Sequence, residues 1–428
     1  MIVEGKFKMI LKKLDYSWKG IDAHKAKKIC HEILLDNSHE VVDFSNNARL
    51  GDRDACMILQ TLSVNPVIRE LFFGFSALGV KSAHHIAALL SQSKTLQFLD
   101  LKNNNFQQEA LKILASGMAA NSSLKKLILD INFIQSEGFN LLLTSGLHGE
   151  SALEDLSLKN CGIDDISEAA AKVLCNQKTL RRLNLYKNKL GVNATNLLKA
   201  LTQNQTLEEL NLVDNLLGTK INREIAEVLK NNSALRSIYL SHNNIGRKNI
   251  EFLAEGIRHH PSLELLEYQD CQLDNKNFVL LTESLSDNDQ LNIFKVGGNQ
   301  LSGDGLRITC DTVKRHNRLK FLDLQKNVIG DHGMPHLIEF LKISPELTSL
   351  NLSACQISEK SIGMLFNYLK NNEHCIEEVN LSGNLIGDDK GAKIIDDFLT
   401  ENPPLKKLFL DECQFDNRGV SLVAKSLR

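Results

Sequence analysis

The sequence predicts an α/β solenoid in the form of a right-handed horseshoe, with a parallel sheet on the concave face and helices on the convex face. Three observations carry this reading. The segment Leu319 to Ile329, LKFLDLQKNVI, places apolar residues at Leu319, Leu322, Leu324 and Ile329 and an amide at Asn327, and the pattern returns about every 28 residues. Positions 4 and 6 of the unit are apolar and alternate with polar residues, which is the period of a strand. The second half of each unit has apolar residues at helical spacing, as in HHIAALLSQS (His84 to Ser93), REIAEVLKNN (Arg223 to Asn232) and AKIIDDFLTEN (Ala392 to Asn402). One strand and one helix cannot enclose a core, but stacked copies can.

The first apolar position falls at Ile68, Leu96, Leu124, Leu153, Leu180, Leu207, Leu235, Leu263, Leu291, Leu319, Leu347, Ile376 and Leu405, with weaker copies at Leu11 and His39. This makes fifteen repeats with steps of 27 to 29 residues, and it reads residues 1–428 as a single repeat domain, with 1–38 as an N-terminal cap and first repeat. Met1 to Ile10 are expected to cover the open end of the first coil, and Trp18 to pack within that cap. Pro66, Pro261, Pro345, Pro403 and Pro404 fall just before repeat starts, where a helix must stop. Pro335 falls where the next helix should begin, and proline is tolerated in a first turn. The last stretch, GVSLVAKSLR, reads as a short amphipathic helix that either caps the array or is followed by further residues in the natural protein. The amide at position 9 follows the strand, where a short polar side chain can bond backbone groups of the bend and of the neighbouring coil.

This pattern resembles the leucine-rich repeat family, in particular the ribonuclease-inhibitor-like subtype with long helical repeats. IGDHGMPHLIEFL (Ile329 to Leu341) and IGDDKGAKIIDDFL (Ile386 to Leu399) carry the likeness, as does the use of Cys161, Cys271, Cys355 and Cys413 in place of the position-9 asparagine. Ser76 and Lys19 depart from it. The resemblance covers the whole chain and implies a scaffold on which functions vary widely.

A net charge of −2 and a pI near 6.7 give no general attraction for nucleic acid or anionic membrane. Nine cysteines are scattered without paired spacing, and no Cys/His cluster has ligand spacing, so they are read as buried free thiols of a reducing compartment, with no metal and no cofactor. MIVEGKFKMILKKLDY lacks the apolar run of a conventional secretory signal, and no stretch reaches the ~18 apolar residues of a membrane span. The expectation is a monomer without membrane insertion, either cytoplasmic or delivered into a host cell without a cleaved N-terminal signal.

No phosphate loop, zinc helix or nucleophile elbow occurs, so no catalytic residue is assigned and the protein is read as a non-enzyme. The adjacent pairs His84-His85 and His259-His260 point in different directions on a helix and make poor chelators. Asp164-Asp165 and Asp388-Asp389 read as acids favouring helix N-termini.

Function is expected on the outward strand positions 3, 5 and 7. Their acids, among them Asp43, Glu70, Asp100, Asp130, Asp155, Glu209, Glu267, Asp323, Glu378 and Asp411, are mixed with Lys102, Lys126, Lys159, Arg182, Lys295 and Lys407. That mixture disfavours a nucleic-acid track. Leu265, Ile293 and Phe321 occupy position 3 of three consecutive repeats and should form one stripe, since neighbouring strands lie ~4.8 Å apart. Tyr239 sits one repeat earlier. Phe72, Phe98 and Ile128 form a second group, with Tyr186 and Val213 between the two. Local cross-strand packing would also use such residues; a protein partner gripped by preformed anchors is the functional reading.

The whole-chain array also resembles leucine-rich-repeat effectors that intracellular bacteria such as Legionella deliver into host cells, which implies a host protein or another effector as partner. The alternative is a GTPase-activating protein resembling the Ran activator, which acts on a nucleotide held by its partner and would be exposed by stimulated GTP hydrolysis. An inhibitor of a basic ribonuclease would need a far more acidic face.

Overall fold

The computed structural model of the chain describes residues 11–147, 151–246, 248–312, 318–370 and 374–426. The cap expected at Met1 to Ile10 lies outside these residues. The chain forms two compact units, residues 1–200 and 201–428.

In the first unit the strands are β1 (Lys13–Asp15), β2 (Val41–Asp43), β3 (Glu70–Phe72), β4 (Phe98–Asp100), β5 (Lys126–Ile128), β6 (Asp155–Ser157) and β7 (Arg182–Asn184). Its helices are α1 (Ala23–Leu35), α2 (Gly51–Leu62), α3 (Val80–Gln92), α4 (Gln108–Ala119), α5 (Gln135–Leu141), α6 (Glu168–Asn176) and α7 (Ala194–Leu201), the last ending at the boundary. The second unit has β8 (Glu209–Asn211), β9 (Ser237–Tyr239), β10 (Leu265–Glu267), β11 (Ile293–Lys295), β12 (Phe321–Asp323), β13 (Ser349–Asn351), β14 (Glu378–Asn380) and β15 (Lys407–Phe409). They alternate with α8 (Asn222–Asn231), α9 (Ile250–Arg258), α10 (Asn275–Ser286), α11 (Gly303–Thr312), α12 (Gly330–Lys342), α13 (Glu359–Lys370), α14 (Asp389–Thr400) and α15 (Asn417–Ser426).

Every strand covers positions 3 to 5 of a repeat, including the weak copies at Leu11 and His39. Within each unit, strands adjacent in sequence pair in parallel with equal positions opposite, as Glu70↔Phe98 in the first and Leu265↔Ile293 in the second. Each unit is therefore an α/β leucine-rich-repeat solenoid: a parallel sheet, a layer of helices and a leucine core between them.

The core follows from the period. Position 4 and position 6 point inward, and Leu71, Phe73, Leu99, Leu101, Leu322 and Leu324 are all buried. At the start of the first unit position 6 is aromatic, and Tyr16, Phe44 and Phe73 stack in series with centroids 5.4 and 4.9 Å apart.

Position 9 closes the bend. Asn104 donates from Nδ2 to the carbonyls of Phe73 (2.8 Å) and Leu101 (3.0 Å), and its Oδ1 accepts from the backbone N–H groups of Ser76 and Leu78. One amide thus satisfies buried backbone groups of two repeats, where an unpaired group would cost stability. The substitutes keep the donor half of this arrangement. Ser76 Oγ donates to Phe44 O at 3.0 Å, and the thiols of Cys161 and Cys355 donate to Leu129 O and Leu324 O at 3.3 and 3.1 Å.

Position 8 is left-handed in all fifteen repeats, from Trp18 (φ 59°) to Glu412 (φ 57°). Asn46, Asn103, Asn160, Asp214, Asp270, Gly298 and Gly383 suit that conformation; Phe75 (φ 60°) and the β-branched Ile131 (φ 57°) do not.

Three expectations are corrected. Trp18, expected to pack, is 78% exposed. Pro335 lies within α12 rather than in its first turn, since the helix already starts at Gly330. The cysteines are all free, but only Cys30, Cys161, Cys271, Cys355 and Cys413 are buried, and Cys375 is exposed just before β14.

Candidate functional site

The candidate surface is the outer side of the strands, considered in each unit separately. In the second unit β10, β11 and β12 hold Leu265, Ile293 and Phe321 directly opposite one another. The three form one row, as their common position requires. Their exposure differs: Ile293 and Phe321 are half-exposed, whereas Leu265 retains only 9% of its surface. Tyr239 lies opposite Glu267 on one side and Asn211 on the other. Burial, followed by the charges of Glu209 and Glu267, holds its phenol above the ordinary value.

The polar groups beside this row are already engaged. Glu267 accepts from Ser241 Oγ at 2.9 Å and from Lys295 Nζ at 3.2 Å. Asp323 accepts from Gln325 N at 2.9 Å and from Gln269 Nε2 at 2.9 Å, a bond that reaches over two repeats. Asp323 was expected to be an exposed acid of the face, as were Asp100 and Asp155; all three are buried, because neighbouring side chains fold over them. Burial raises the carboxyls of Asp100 and Asp323 above the usual range despite their hydrogen bonds. Asp155 instead lies between Lys126 Nζ (2.9 Å) and Arg182 Nε (3.1 Å).

In the first unit Phe72 and Phe98 are diagonal neighbours on β3 and β4, their ring centroids 4.8 Å apart at 37°. Ile128 follows on β5, opposite Asp100. Tyr186 lies beyond the end of β7, apart from this group, with Lys159 Nζ 4.4 Å from its ring centroid. Val213 is buried and offers no surface.

Three exposed apolar residues next to the first group are not among the expected anchors: Phe75 and Ile131 at position 8, and Phe133 at position 10. The signal was present, since position 8 otherwise favours asparagine, aspartate and glycine. It becomes visible only when that column is compared across all repeats.

Three buried cysteine thiols are not poised for chemistry. Burial pushes Cys161, Cys271 and Cys355 up to about 12. His260 is also structural. Its Nδ1 accepts from the N–H groups of Ser262 (3.2 Å) and Leu263 (3.0 Å), and Nε2 is buried without a partner. Burial lowers this imidazole to about 4. Asp388, expected at a helix start, caps α14 by accepting from Gly391 N at 2.7 Å. Among the described residues no helix is long and apolar enough to cross a membrane.

The fold and the position-9 ladder define a leucine-rich repeat protein, and residues 316–334 match the Leucine Rich repeat family model. Among curated proteins the chain is similar to NACHT, LRR and PYD domains-containing protein 14 of Mus musculus, 31% identical over 121 residues, which is 28% of this chain and 12% of that protein. It is also similar to the Protein phosphatase 1 regulatory subunit 37 homolog of Caenorhabditis briggsae, 30% identical over 80 residues, 19% of this chain and 9% of that protein. The matched stretches are thus about a tenth of these relatives. Among solved structures, the TLR13–ssRNA13 complex superposes with a TM-score of 0.54 at 18% identity, covering 89% of this chain and 54% of that one. That likeness is one of fold.

Proposed function

We propose that the protein is a non-enzymatic scaffold that binds a protein partner on the outer side of its strands. The observation that supports this best is the row Leu265–Ile293–Phe321, which offers apolar surface between polar groups that are already paired. A partner covering Ile293 and Phe321 would not strand Glu267 or Asp323 without hydrogen bonds, so little desolvation opposes docking. Tyr239 extends this anchor. Phe72, Phe98 and Ile128, with Tyr186 further along, form a second contact area in the other unit.

The finer parts of this reading are proposals of the same standing. Residues 1–428 act as one repeat domain of the ribonuclease-inhibitor-like subtype. The protein is a monomer that takes a protein and not a nucleic acid, and it works in a reducing compartment as a bacterial effector inside a host cell, on a host protein or another effector. The mixed charge of the strand face and the nine free cysteines support these parts.

The test is affinity capture from host-cell and bacterial lysates with the parent chain, Ile293→Glu/Phe321→Glu and Phe72→Glu/Phe98→Glu, each checked for folding by circular dichroism. Leu265 is left intact because a glutamate there would be buried. The expected outcome is a partner held by the parent and lost, by at least about tenfold, in the Ile293/Phe321 variant. Equal capture by all three proteins would remove the strand face as the site. Stimulated GTP hydrolysis by a Ran-type GTPase would overturn the non-enzymatic reading.

A further inference from the structure

The loops that follow the strands form an edge of the first unit. Along it, position 8 of each repeat donates its N–H to the position-7 carbonyl of the next: Phe75 to Lys102 at 2.9 Å, Asn103 to Asp130 at 2.7 Å, Ile131 to Lys159 at 2.7 Å and Asn160 to Tyr186 at 2.8 Å. This ladder stacks the loops in register, so equal positions form columns. Position 8 presents Phe75 and Ile131, 38% and 40% exposed, and position 10 presents Phe133, 63% exposed. The next two repeats bring Lys159, Lys187 and Lys189 to the same edge, at positions 7, 8 and 10. We propose that this edge docks an acidic segment of a protein partner, whose apolar side chains settle on Phe75, Ile131 and Phe133 and whose carboxylates meet the three lysines.

Charge and backbone both point to that occupant. Among the described residues no carboxylate lies within 4.0 Å of the ammonium groups of Lys159, Lys187 or Lys189. Lys159 instead lies over the ring of Tyr186, its Nζ 4.4 Å from the centroid. The acids nearby are taken. Asp130 accepts from Ser157 Oγ at 2.6 Å and from Lys159 N at 2.9 Å, and Asp164 accepts from Ser136 Oγ at 2.5 Å. In the second unit positions 7 and 8 are acidic instead, with Asp214, Asp270, Asp411 and Glu412 against one lysine, Lys326. The apolar members hold a backbone that bulky and β-branched residues disfavour, φ 60° at Phe75 and 57° at Ile131, where asparagine or glycine would sit without strain. An outlier of this kind on an exposed side chain points to function. Because the ladder fixes the loops before binding, little ordering entropy opposes docking. A single-stranded nucleic acid would meet the lysines but would set a charged backbone or a polar base edge against Ile131, so an acidic peptide with apolar side chains matches the whole edge better.

The test is selection of a phage-displayed random peptide library on the full chain, with counter-selection on Phe75→Asn/Ile131→Asn/Phe133→Ser. Asparagine is native at position 8 in Asn46, Asn103 and Asn160, so this variant keeps the loop backbone, and circular dichroism verifies the fold. Enriched peptides are expected to carry aspartate or glutamate beside phenylalanine, tryptophan or leucine. The best of them, fluorescently labelled, should bind the parent and Ile293→Glu/Phe321→Glu equally by anisotropy, which separates this edge from the strand-face site. Its affinity should fall at least ~10-fold in the apolar variant and in Lys159→Ala/Lys187→Ala/Lys189→Ala. Added salt should weaken binding to the parent and leave the lysine variant nearly unmoved. No peptide enriched by the parent over the variant, enrichment of basic or uncharged peptides, unchanged affinity in the apolar or the lysine variant, or loss in the Ile293/Phe321 variant would overturn the proposal. So would binding of an oligo-dT strand, or self-association of the chain in sedimentation, that is lost in the same edge variants, since the occupant would then be a nucleic acid or a second copy.

Discussion

The two units differ in where they place apolar surface. In residues 201–428 the row of Leu265, Ile293 and Phe321 sits on strand positions, and the left-handed position 8 carries Asp214, His242, Asp270, Gly298, Lys326, Ala354, Gly383 and Glu412. In residues 1–200 apolar side chains occupy both the strand face, at Phe72, Phe98 and Ile128, and the left-handed column, at Trp18, Phe75 and Ile131. The latter residues are exposed, and Ile131 is β-branched in a conformation that disfavours it. Strain of this kind lowers stability, and at Phe75 it is met by Lys102 Nζ lying 5.8 Å from the ring centroid. In the second unit position 8 carries no large apolar residue, and among its described residues the one exposed apolar residue in left-handed backbone is Leu216 at position 10 (φ 57°, 66% exposed).

The largest effects should leave this contrast unchanged, because both units rest on the same position-9 ladder. Asn104→Ala in the first unit and Asn299→Ala in the second should each destabilise by about 3 kcal/mol in urea unfolding, since each leaves several buried backbone groups short of a partner. Cys355→Ala, which removes one weak thiol donor, should cost about 1 kcal/mol or less. If the asparagine and cysteine variants lost equal stability, the ladder would not be what closes the bends.

A second difference is sensitivity to acid. Asn121 in the first unit and His260 in the second hold equivalent turns, Asn121 through Oδ1 and His260 through Nδ1, each accepting two backbone N–H groups. The histidine is neutral in the folded chain down to about 4. The unfolded chain takes up that proton from about 6.5 downward. The unfolded state therefore binds more protons in this window, and stability should fall as pH drops from about 6.5 towards 4, by about 3 kcal/mol. His260→Asn should keep the turn and remove this contribution. Melting points followed from pH 7 to pH 4 check it, and identical acid slopes in parent and variant would refute the assignment.

The smallest effect tests the strain itself. Ile131→Gly should stabilise the first unit by about 1 kcal/mol by relieving its left-handed backbone. The reverse change in the second unit, Gly298→Ile, should destabilise by more than this, because a Cβ there would also meet Asp270 Oδ1 at 2.1 Å. A loss of stability in Ile131→Gly would mean that the side chain packs usefully, and the contrast between the units would dissolve.

Much of this architecture is legible in the sequence because it is local and repeated. The column of leucines places all fifteen strands, and equal spacing alone puts Leu265, Ile293 and Phe321 opposite one another. The helix starts were less legible: Gly330 opens α12 before Pro335, whose usual preference for a first turn misled the reading. Acids at the outward positions were taken as exposed because alternation says only which face a side chain takes. Whether that face is covered depends on residues one or two repeats away, as Gln269 reaching Asp323 demonstrates.

The sequence by itself determined the period, the strand positions, the parallel register within each unit and the asparagine ladder, because each follows from a spacing that recurs about every 28 residues. Only the tertiary structure decided that Leu265 is covered while Ile293 and Phe321 are not, that Phe72 meets Phe98, and that position 8 is left-handed throughout. Those outcomes depend on the volumes and rotamers of side chains that meet only when successive coils stack, and a repeat pattern carries no record of them.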